Sequence, residues 1–374
     1  MTSPLHILLL PFALLYGCVV EIRNLLFDKK LLSAETFPLP VISVGNIAVG
    51  GTGKTPHTEY LIRLLQDDYK VGVLSRGYKR KRSGFVLADN TVTSRDIGDE
   101  PYQMWRKFPG ITLAVDRKRV RGVRKLLELP AGQRPDVVLL DDAFQHRYIQ
   151  PSLSILLTDY RRLLPDDCLL PAGRLREPAK NRCRAHILIV TKCPETIQPI
   201  DRQAITRQLN ILPHQTLFFS SLQYGRLHAV CKDKNNLVPE MPLEALEAQD
   251  MTVLLLAGIA RPEPLIEKIS QYTKKLEQRL YPDHHTFSNK ELLEIAASFV
   301  RIDAEQKIII TTEKDAARLA SHPALPDVLQ QSLYYLPVAV IFDNEDLFTQ
   351  KIKEHVSTVE RNYRLDSGAG SRNS

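Results

Sequence analysis

Gly50, Gly51, Thr52, Gly53, Lys54 and Thr55 follow one another within VISVGNIAVGGTGKTP, residues 41–56, and their types suit the holding of phosphate. Glycines let backbone N–H groups turn toward an anion with no Cβ in the way. Lys54 can bring a point charge to the β/γ-phosphates of a nucleotide, and the Thr55 hydroxyl can ligate Mg²⁺. The pattern G-x-x-x-x-G-K-[ST] is kept except at its first position, which is Ala48. A glycine-rich turn that binds nothing is the plainer alternative, and it leaves the whole run without a reason.

Other groups could serve the same chemistry. An apolar run from Val137 to Leu140 ends in Asp141-Asp142. An apolar strand ending in acid, in a phosphate-loop protein, is the Mg²⁺-side element called Walker B, and carboxylates suit a hard cation. An ordinary turn after a strand is the alternative. Asp99-Glu100 could accept a hydroxyl proton or orient a nucleophile; a solvated loop acid or helix cap fits equally. The stretch from Leu170 to Pro178 carries Arg174, Arg176 and Glu177. Arginine forks fit phosphate, though a salt-bridged surface loop reads the same way. Asp283-His284-His285 offers ligands, bases or plain surface residues, and residue types alone leave these open.

The elements that must position these residues alternate. Val41–Val44 reads as a buried strand, and a helix opens at Lys54-Thr55 and runs through Leu64-Leu65. Strand-like runs recur at 71–75, 111–115, 136–140, 154–158 and 186–190, with a helix at 120–127. This alternation predicts a doubly wound α/β domain with a parallel sheet. It closes near Ser220. Two short β-like runs follow, 217–219 and 228–230, with Tyr224-Gly225 as a turn between them. A second α/β pattern starts at Val253 and continues through Ile308–Ile310 and Tyr334–Phe342. The expected division is 1–34 for an N-terminal helix, 35–220 for the phosphate-loop domain, 221–360 for the second domain and 361–374 for a disordered tail.

The N-terminus reads ILLLPFALLYGCVV from Ile7 to Val20 without a charge. That is short for a spanning helix, which needs ~20 apolar residues. No basic residue precedes it and no small-x-small cleavage site follows, so it makes a poor secretory signal. Leu15, Val19, Ile22 and Leu26 share a helical face, and Arg23, Lys29 and Lys30 suit an anionic cytoplasmic leaflet. A helix lying in the membrane surface is the favoured reading; a helix packed on its own domain is the alternative.

The 374 residues, 44% of them hydrophobic, suffice for two or three domains. The five cysteines form no C-x-x-C pair, which argues for free thiols in a reducing compartment and against zinc. The net charge of +7 admits a phosphorylated substrate, an anionic membrane or nucleic acid. Aromatic-interleaved basic text is lacking, so nucleic acid is not expected.

Taken in order, the motifs resemble one family. Gly45-Asn46 with GGTGKTP, Ser75-Arg76-Gly77-Tyr78, Gly98-Asp99-Glu100-Pro101, DDAFQHR, LLPAGRLREP, Ala257-Gly258-Ile259, PDHH and Thr312-Glu313-Lys314-Asp315-Ala316 follow a hydrophobic N-terminus. This is similar to the tetraacyldisaccharide 4′-kinases of lipid A synthesis, over about residues 5–319. The family usually has Gly where Ala143 stands, and often different text around Gly258–Pro262. The resemblance implies transfer of the γ-phosphate of ATP, with Mg²⁺, to the 4′-hydroxyl of tetraacyldisaccharide 1-phosphate, giving lipid IVA. It implies a P-loop kinase domain and a smaller α/β domain joined by a β-ribbon, with the site in the cleft. Asp99 would be the base-side carboxylate and His284 its partner, one from each domain. Asp141, Asp142 and Glu177, with Thr55, would serve Mg²⁺ or its waters. Asn46, Arg119, Gln145, His146 and Arg176 would lie near phosphate or sugar. The place of work would be the cytoplasmic side of the bacterial inner membrane, with a monomer expected.

The alternative is a membrane-associated switch ATPase with no lipid acceptor. The extra lysine that many such ATPases carry before the paired glycines is Val49 here. Thr191-Lys192-Cys193-Pro194 lacks the aspartate of guanine readers.

Overall fold

Val137, Val138, Leu139 and Leu140 are all fully buried, as a strand covered on both faces requires. They belong to a nine-stranded sheet in a computed structural model that describes residues 4–231, 239–320 and 322–370. Its strands in chain order are β1 (Val41–Asn46), β2 (Val71–Ser75), β3 (Val86–Leu87), β4 (Thr112–Val115), β5 (Val137–Asp141), β6 (Leu153–Asp159), β7 (Ile187–Thr191) and β8 (Thr216–Tyr224). A six-stranded sheet follows with β9 (Leu227–Ala229), β10 (Glu240–Met241), β11 (Thr252–Ala257), β12 (Leu276–Leu280), β13 (Lys307–Thr312) and β14 (Leu333–Leu336). The last strand, β15 (Val338–Phe342), returns to the first sheet.

The first sheet runs β15-β8-β7-β6-β1-β5-β2-β4-β3. Pairings from β4 through β2, β5, β1, β6 and β7 to β8 are parallel, and the two edge strands are antiparallel: β3 to β4, and β15 to β8, where Gly225 N–H donates to the Pro337 carbonyl and Asp343 N–H to the Phe219 carbonyl. The chain leaves β1 toward β2 on one side and leaves β6 toward β7 on the other. That reversal makes the carboxyl end of β1 a topological switch point, where open α/β sheets bind ligands. The phosphate loop grows out of that end.

In the second sheet, β12, β11, β13 and β14 pair in parallel, and β9 and β10 add antiparallel strands at one edge. The apolar run of β11 splits by the two-residue period of a strand. Leu254 and Leu256 join a core with Phe287, Leu292 and Phe299, whereas Val253, Leu255 and Ala257 join one with Leu265, Ile269 and Leu336.

The chain forms two compact units, and neither is continuous. One comprises Met1–Thr91, Met104–Leu222 and Val340–Ser374; the other comprises Val92–Gln103 and Gln223–Ala339. The division at Leu222–Gln223 lies two residues from the boundary expected near 220, and two segments fall in the other unit. Val92–Gln103, expected in the phosphate-loop domain, belongs with the second sheet. Residues from Val340 onward, expected in the second domain, rejoin the first. The expected turn at Tyr224-Gly225 does not make a hairpin of β8 and β9. These strands belong to different sheets, and β8 lies beside β15 instead. The tail expected to lack structure from 361 continues a helix, Glu345–Gly370; residues 371–374 lie outside the described residues.

The N-terminal helix α1 (Pro4–Asp28) is longer than its uncharged run. Ala13, Gly17, Val20, Asn24 and Phe27 form its buried stripe, while Leu8, Phe12, Leu15, Val19 and Ile22 are each more than 60% exposed or at that level. All five cysteines are free thiols.

Candidate active site

The phosphate loop begins where β1, buried along its whole length, runs into glycine. Gly50 (φ 117°) and Gly53 (φ 83°) hold backbone angles that favour glycine. A Cβ at Gly50 or Gly51 would meet no atom within 4 Å, so the loop borders open space. The helix Lys54–Leu65 starts directly after Gly53 and aims its free N–H groups and positive dipole end back toward the loop.

Around this loop the structure gathers much of what the sequence pointed to. Lys54 Nζ donates to Asn46 Oδ1 at 3.4 Å and lies 3.7 Å from Asp142 Oδ1. Asn46 Nδ2 donates to Thr52 Oγ1 at 2.7 Å, and Gln145 Nε2 donates to the Asn46 carbonyl at 2.8 Å. Arg176 Nη1 donates to Asp142 at 3.2 and 3.3 Å and reaches Gln145 Oε1 at 3.5 Å. Burial alone would raise the Asp142 carboxyl, but Lys54, Arg176 and Arg119 outweigh it and hold the group below its ordinary value. Asp142 also adopts a left-handed backbone (φ 48°), the kind of local strain that collects at functional sites.

Asp141 ends β5 and accepts from Ser75 Oγ at 2.9 Å. Arg119 is fully buried and donates to the carbonyls of Asp116 (2.6 Å) and Asp141 (3.1 Å). Those two hydrogen bonds tie the carboxyl ends of β4 and β5 together. Burial pushes the Arg119 guanidinium down to about 10 against the pull of Asp141 and Asp142. His146 is pushed down to about 4, first by burial and then by Arg119 and Arg76, so its ring is neutral near pH 7. Glu177 Oε2 accepts from Asn24 of α1 (3.2 Å), Asn181 (3.0 Å) and Arg184 (2.8 Å). Among the described residues no three His, Cys, Asp or Glu side chains converge as a metal group, so Asp141, Asp142 and Glu177 form no ready-made cage.

The loop is also held by residues the sequence did not single out. His57 Nδ1 sits 2.7 Å from the Gly53 carbonyl and its Nε2 2.9 Å from Ser220 Oγ. Thr191 Oγ1 donates to the Thr52 carbonyl at 3.0 Å. Lys192 donates to the Gly51 carbonyl and, at 3.0 Å, to Asp159 Oδ2. Thr191-Lys192, the same dipeptide that opens the incomplete guanine pattern, thus holds the loop backbone from the end of β7.

A second group lies in the unit built on the six-stranded sheet. Asp99 opens the helix Asp99–Lys107, and His284 stands in the turn after β12 with a left-handed backbone (φ 63°). The residues are 185 positions apart in the chain, and His284 Nδ1 lies 3.1 Å from Asp99 Oδ2. They meet inside one unit, and not with one residue from each domain as expected. Burial alone would raise the Asp99 carboxyl. Hydrogen bonds from His284 and Arg318, with the charges of Arg318 and Lys314, hold it down at about 2. Sequence alone assigns neither Arg318 nor Lys314 a role.

A sequence model described as tetraacyldisaccharide-1-P 4′-kinase matches residues 5–357. The chain is 52% identical over 360 residues to a tetraacyldisaccharide 4′-kinase of Parabacteroides distasonis, covering 96% of each chain. It is 50% identical to that of Bacteroides thetaiotaomicron, covering 96% of this chain and 95% of the other. A crystal structure of LpxK from Aquifex aeolicus in complex with ATP superposes with a TM-score of 0.72 at 30% identity, covering 94% of this chain and 99% of that one.

Proposed function

The chain belongs to the tetraacyldisaccharide 4′-kinase family, and on that premise we propose how its residues divide the work of phosphoryl transfer. The enzyme moves the γ-phosphate of ATP to the 4′-hydroxyl of tetraacyldisaccharide 1-phosphate in lipid A synthesis, giving lipid IVA. The sugar oxygen bonds to phosphorus, the bond from phosphorus to the β-bridging oxygen breaks to release ADP, and the hydroxyl proton passes to the Asp99 carboxylate.

In our reading the loop from Gly50 to Thr55 cradles the phosphates, and Lys54 neutralises charge on the γ-phosphoryl as it transfers. Arg176 and Asn46 hold Lys54 and Asp142 in register. Gln145 fixes the Asn46 backbone, and the neutral His146 offers a hydrogen bond rather than a charge. Arg119 acts from behind by holding the strand ends.

The donors also fit Mg²⁺, which with ATP takes one or two carboxylates, phosphate oxygens and waters rather than an all-protein cage. Thr55 and Asp142 would hold the ion, with Asp141 behind. Glu177 Oε1 is buried with no hydrogen-bond partner and would accept from a metal-bound water. When bound, such an ion would supply charge neutralisation for the transferring phosphoryl group.

Asp99 and His284 would receive the sugar hydroxyl. The observation that carries this part is the 3.1 Å contact between residues so distant in sequence. A carboxylate held near 2 is a weak base in the resting protein. Phosphoryl transfer is loose, so the hydroxyl needs orientation first and gives up its proton late, when bonding to phosphorus has made it acidic. A carboxylate kept ionised and aimed by an imidazole meets that need.

The exposed apolar face of α1 supports a helix lying on the cytoplasmic membrane surface. By length and composition its Leu8–Asp28 stretch could cross a membrane, with a mean hydropathy of 1.6. Its other face, however, is tied to protein: Tyr16 to the Arg176 carbonyl, Asn24 to Glu177, Glu21 to Lys180 and Asp28 to Arg147. A helix bonded along one side to its own unit suits the interface better than the lipid core.

Purified disaccharide 1-phosphate lipid with labelled ATP tests the assignment. Asp99→Ala and His284→Ala are each expected to lower turnover by roughly 10²–10⁴-fold. The double variant should lose far less than the product of the two. Fully multiplicative losses would break the pair.

A further inference from the structure

The helix Glu313–Ala320 follows β13 without a break and presents Lys314 and Arg318, one turn apart, to Asp99 and His284. Arg318 Nη2 donates to Asp99 Oδ2 at 2.6 Å, the oxygen that His284 Nδ1 also meets. Arg318 Nη1 donates to Asp315 Oδ1 at 2.7 Å. Asp315 is completely buried, and its Oδ2 accepts from the Gly258 N–H and from Thr312 Oγ1, both at 2.8 Å. A Cβ at Gly258 would stand 3.0 Å from Asp315 Oδ1, so the end of β11 closes tightly on this carboxylate. Arg318 is therefore anchored from beneath.

Lys314 approaches from the other side of the ring. Its Nζ lies 3.2 Å from His284 Nε2, 3.2 Å from Asp283 Oδ1 and 3.6 Å from Glu100 Oε1. An ammonium donates hydrogen bonds and accepts none. Its 3.2 Å contact with Nε2 calls for a bare nitrogen there, with the ring proton on Nδ1 toward Asp99 Oδ2 at 3.1 Å; the contacts that favour the opposite assignment, Asp283 Oδ2 to Nε2 at 3.7 Å and Arg318 Nη2 to Nδ1 at 3.4 Å, are both longer. Charged residues on a helix more often form a solvated face. Here the side chains of Lys314 and Arg318 are only 16% and 9% exposed.

We propose that Lys314 and Arg318 are positioning residues for phosphoryl transfer: Lys314 fixes His284 as its Nδ1–H tautomer, and Arg318, anchored on Asp315, aims the carboxylate that this tautomer faces. The proposal rests on the reading of Asp99 and His284 as the hydroxyl-handling pair, and it says how that pair is held. A merely structural ion pair would leave the tautomer alone, so the tautomer is what separates the two roles.

The test uses the full-length protein labelled with ¹⁵N-histidine at pH 8, with the His284 signals identified by their loss in His284→Gln. The nitrogen shifts should show Nε2 unprotonated. In Lys314→Met the ring should lose that single tautomer, and kcat should fall roughly 10²-fold or more, as when a catalytic histidine loses the partner that fixes its tautomer. The KM for ATP should change little, and Lys314→Arg should restore both the tautomer and much of the rate. A His284 that keeps its Nδ1–H form in Lys314→Met would overturn the proposal. A changed tautomer with unchanged kcat would instead keep the contact and overturn the catalytic reading of His284. Arg318→Met should lower kcat while leaving the tautomer in place; an unchanged kcat would remove Arg318 from the proposal.

Discussion

Lys54 is held at rest by Asn46 at 3.4 Å and by Asp142 at 3.7 Å, contacts loose enough to be exchanged for phosphate oxygens. Its charge matters most where charge develops, and losing such a group costs ~3–4 kcal/mol in the transition state. Lys54→Ala should therefore lower kcat by roughly 10²–10³-fold, read from initial rates at saturating ATP. Asp142 keeps Arg176 as a partner, so the melting transition should survive. Near-normal turnover in that folded variant would remove the loop from the chemistry. Two glycines in the same stretch separate packing from binding. A Cβ at Gly45 would lie 2.8 Å from Phe144 Cβ and 2.9 Å from the Phe144 backbone nitrogen, and main chain cannot easily move aside. Gly45→Ala should lose ~1–3 kcal/mol of stability, visible as a lower denaturant midpoint. Gly51 has open space around it and no left-handed backbone to protect. Gly51→Ala should fold with the wild-type midpoint and raise the KM for ATP, because the new methyl stands where phosphate is expected.

The helix Glu345–Gly370 returns to the first sheet and is fastened by His355, whose Nε2 lies 3.0 Å from Ser152 Oγ. His186, nearby in charge terms, accepts the Ser154 N–H on its Nδ1 at 2.9 Å. Burial lowers both rings below their ordinary value, with His214 adding to the effect at His186 and His186 adding to it at His355. In the unfolded chain both take up protons near pH 6.5. Below that pH the unfolded state binds more protons than the native one, so stability falls as the solution is acidified and stops falling once the native rings are charged. Denaturant midpoints at pH 8 and pH 5 should show this loss, and His355→Gln should reduce it; an equal pH slope in the variant would exclude His355. At this scale most of the fold was legible. Continuous apolar runs became β5 and β11, and the glycine loop and its helix stand where Lys54-Thr55 put them. What stayed hidden depends on contacts distant in sequence. The exchange of β9 for β15 as the neighbour of β8 leaves no trace in local pattern. Lys314 and Asp315 stand in the sequence only as part of a family motif and Arg318 not at all, because their role depends on which side of the helix is buried.

For the molecule as a whole, α1 has two duties on two faces. Deleting it would strip Asn24 from Glu177 and Tyr16 from the Arg176 carbonyl along with any membrane contact. Changing Leu8, Phe12, Leu15, Val19 and Ile22 to glutamine alters the exposed stripe alone. That variant should lose co-sedimentation with anionic vesicles and raise the KM for lipid acceptor in bilayers, while keeping its rate on a short-chain soluble acceptor. Undiminished sedimentation would leave the stripe without a membrane role. The discontinuity of the two units has a bearing on inheritance and engineering. Val92–Gln103 brings Asp99 into the unit that holds His284, although the chain on either side of that segment belongs to the other unit. Swapping Gln223–Ala339 between two relatives would thus pair one parent's imidazole, lysine and arginine with the other parent's carboxylate. A working hybrid should need the short insert exchanged together with the long one, so that recombination within this gene has two crossover regions to satisfy instead of one.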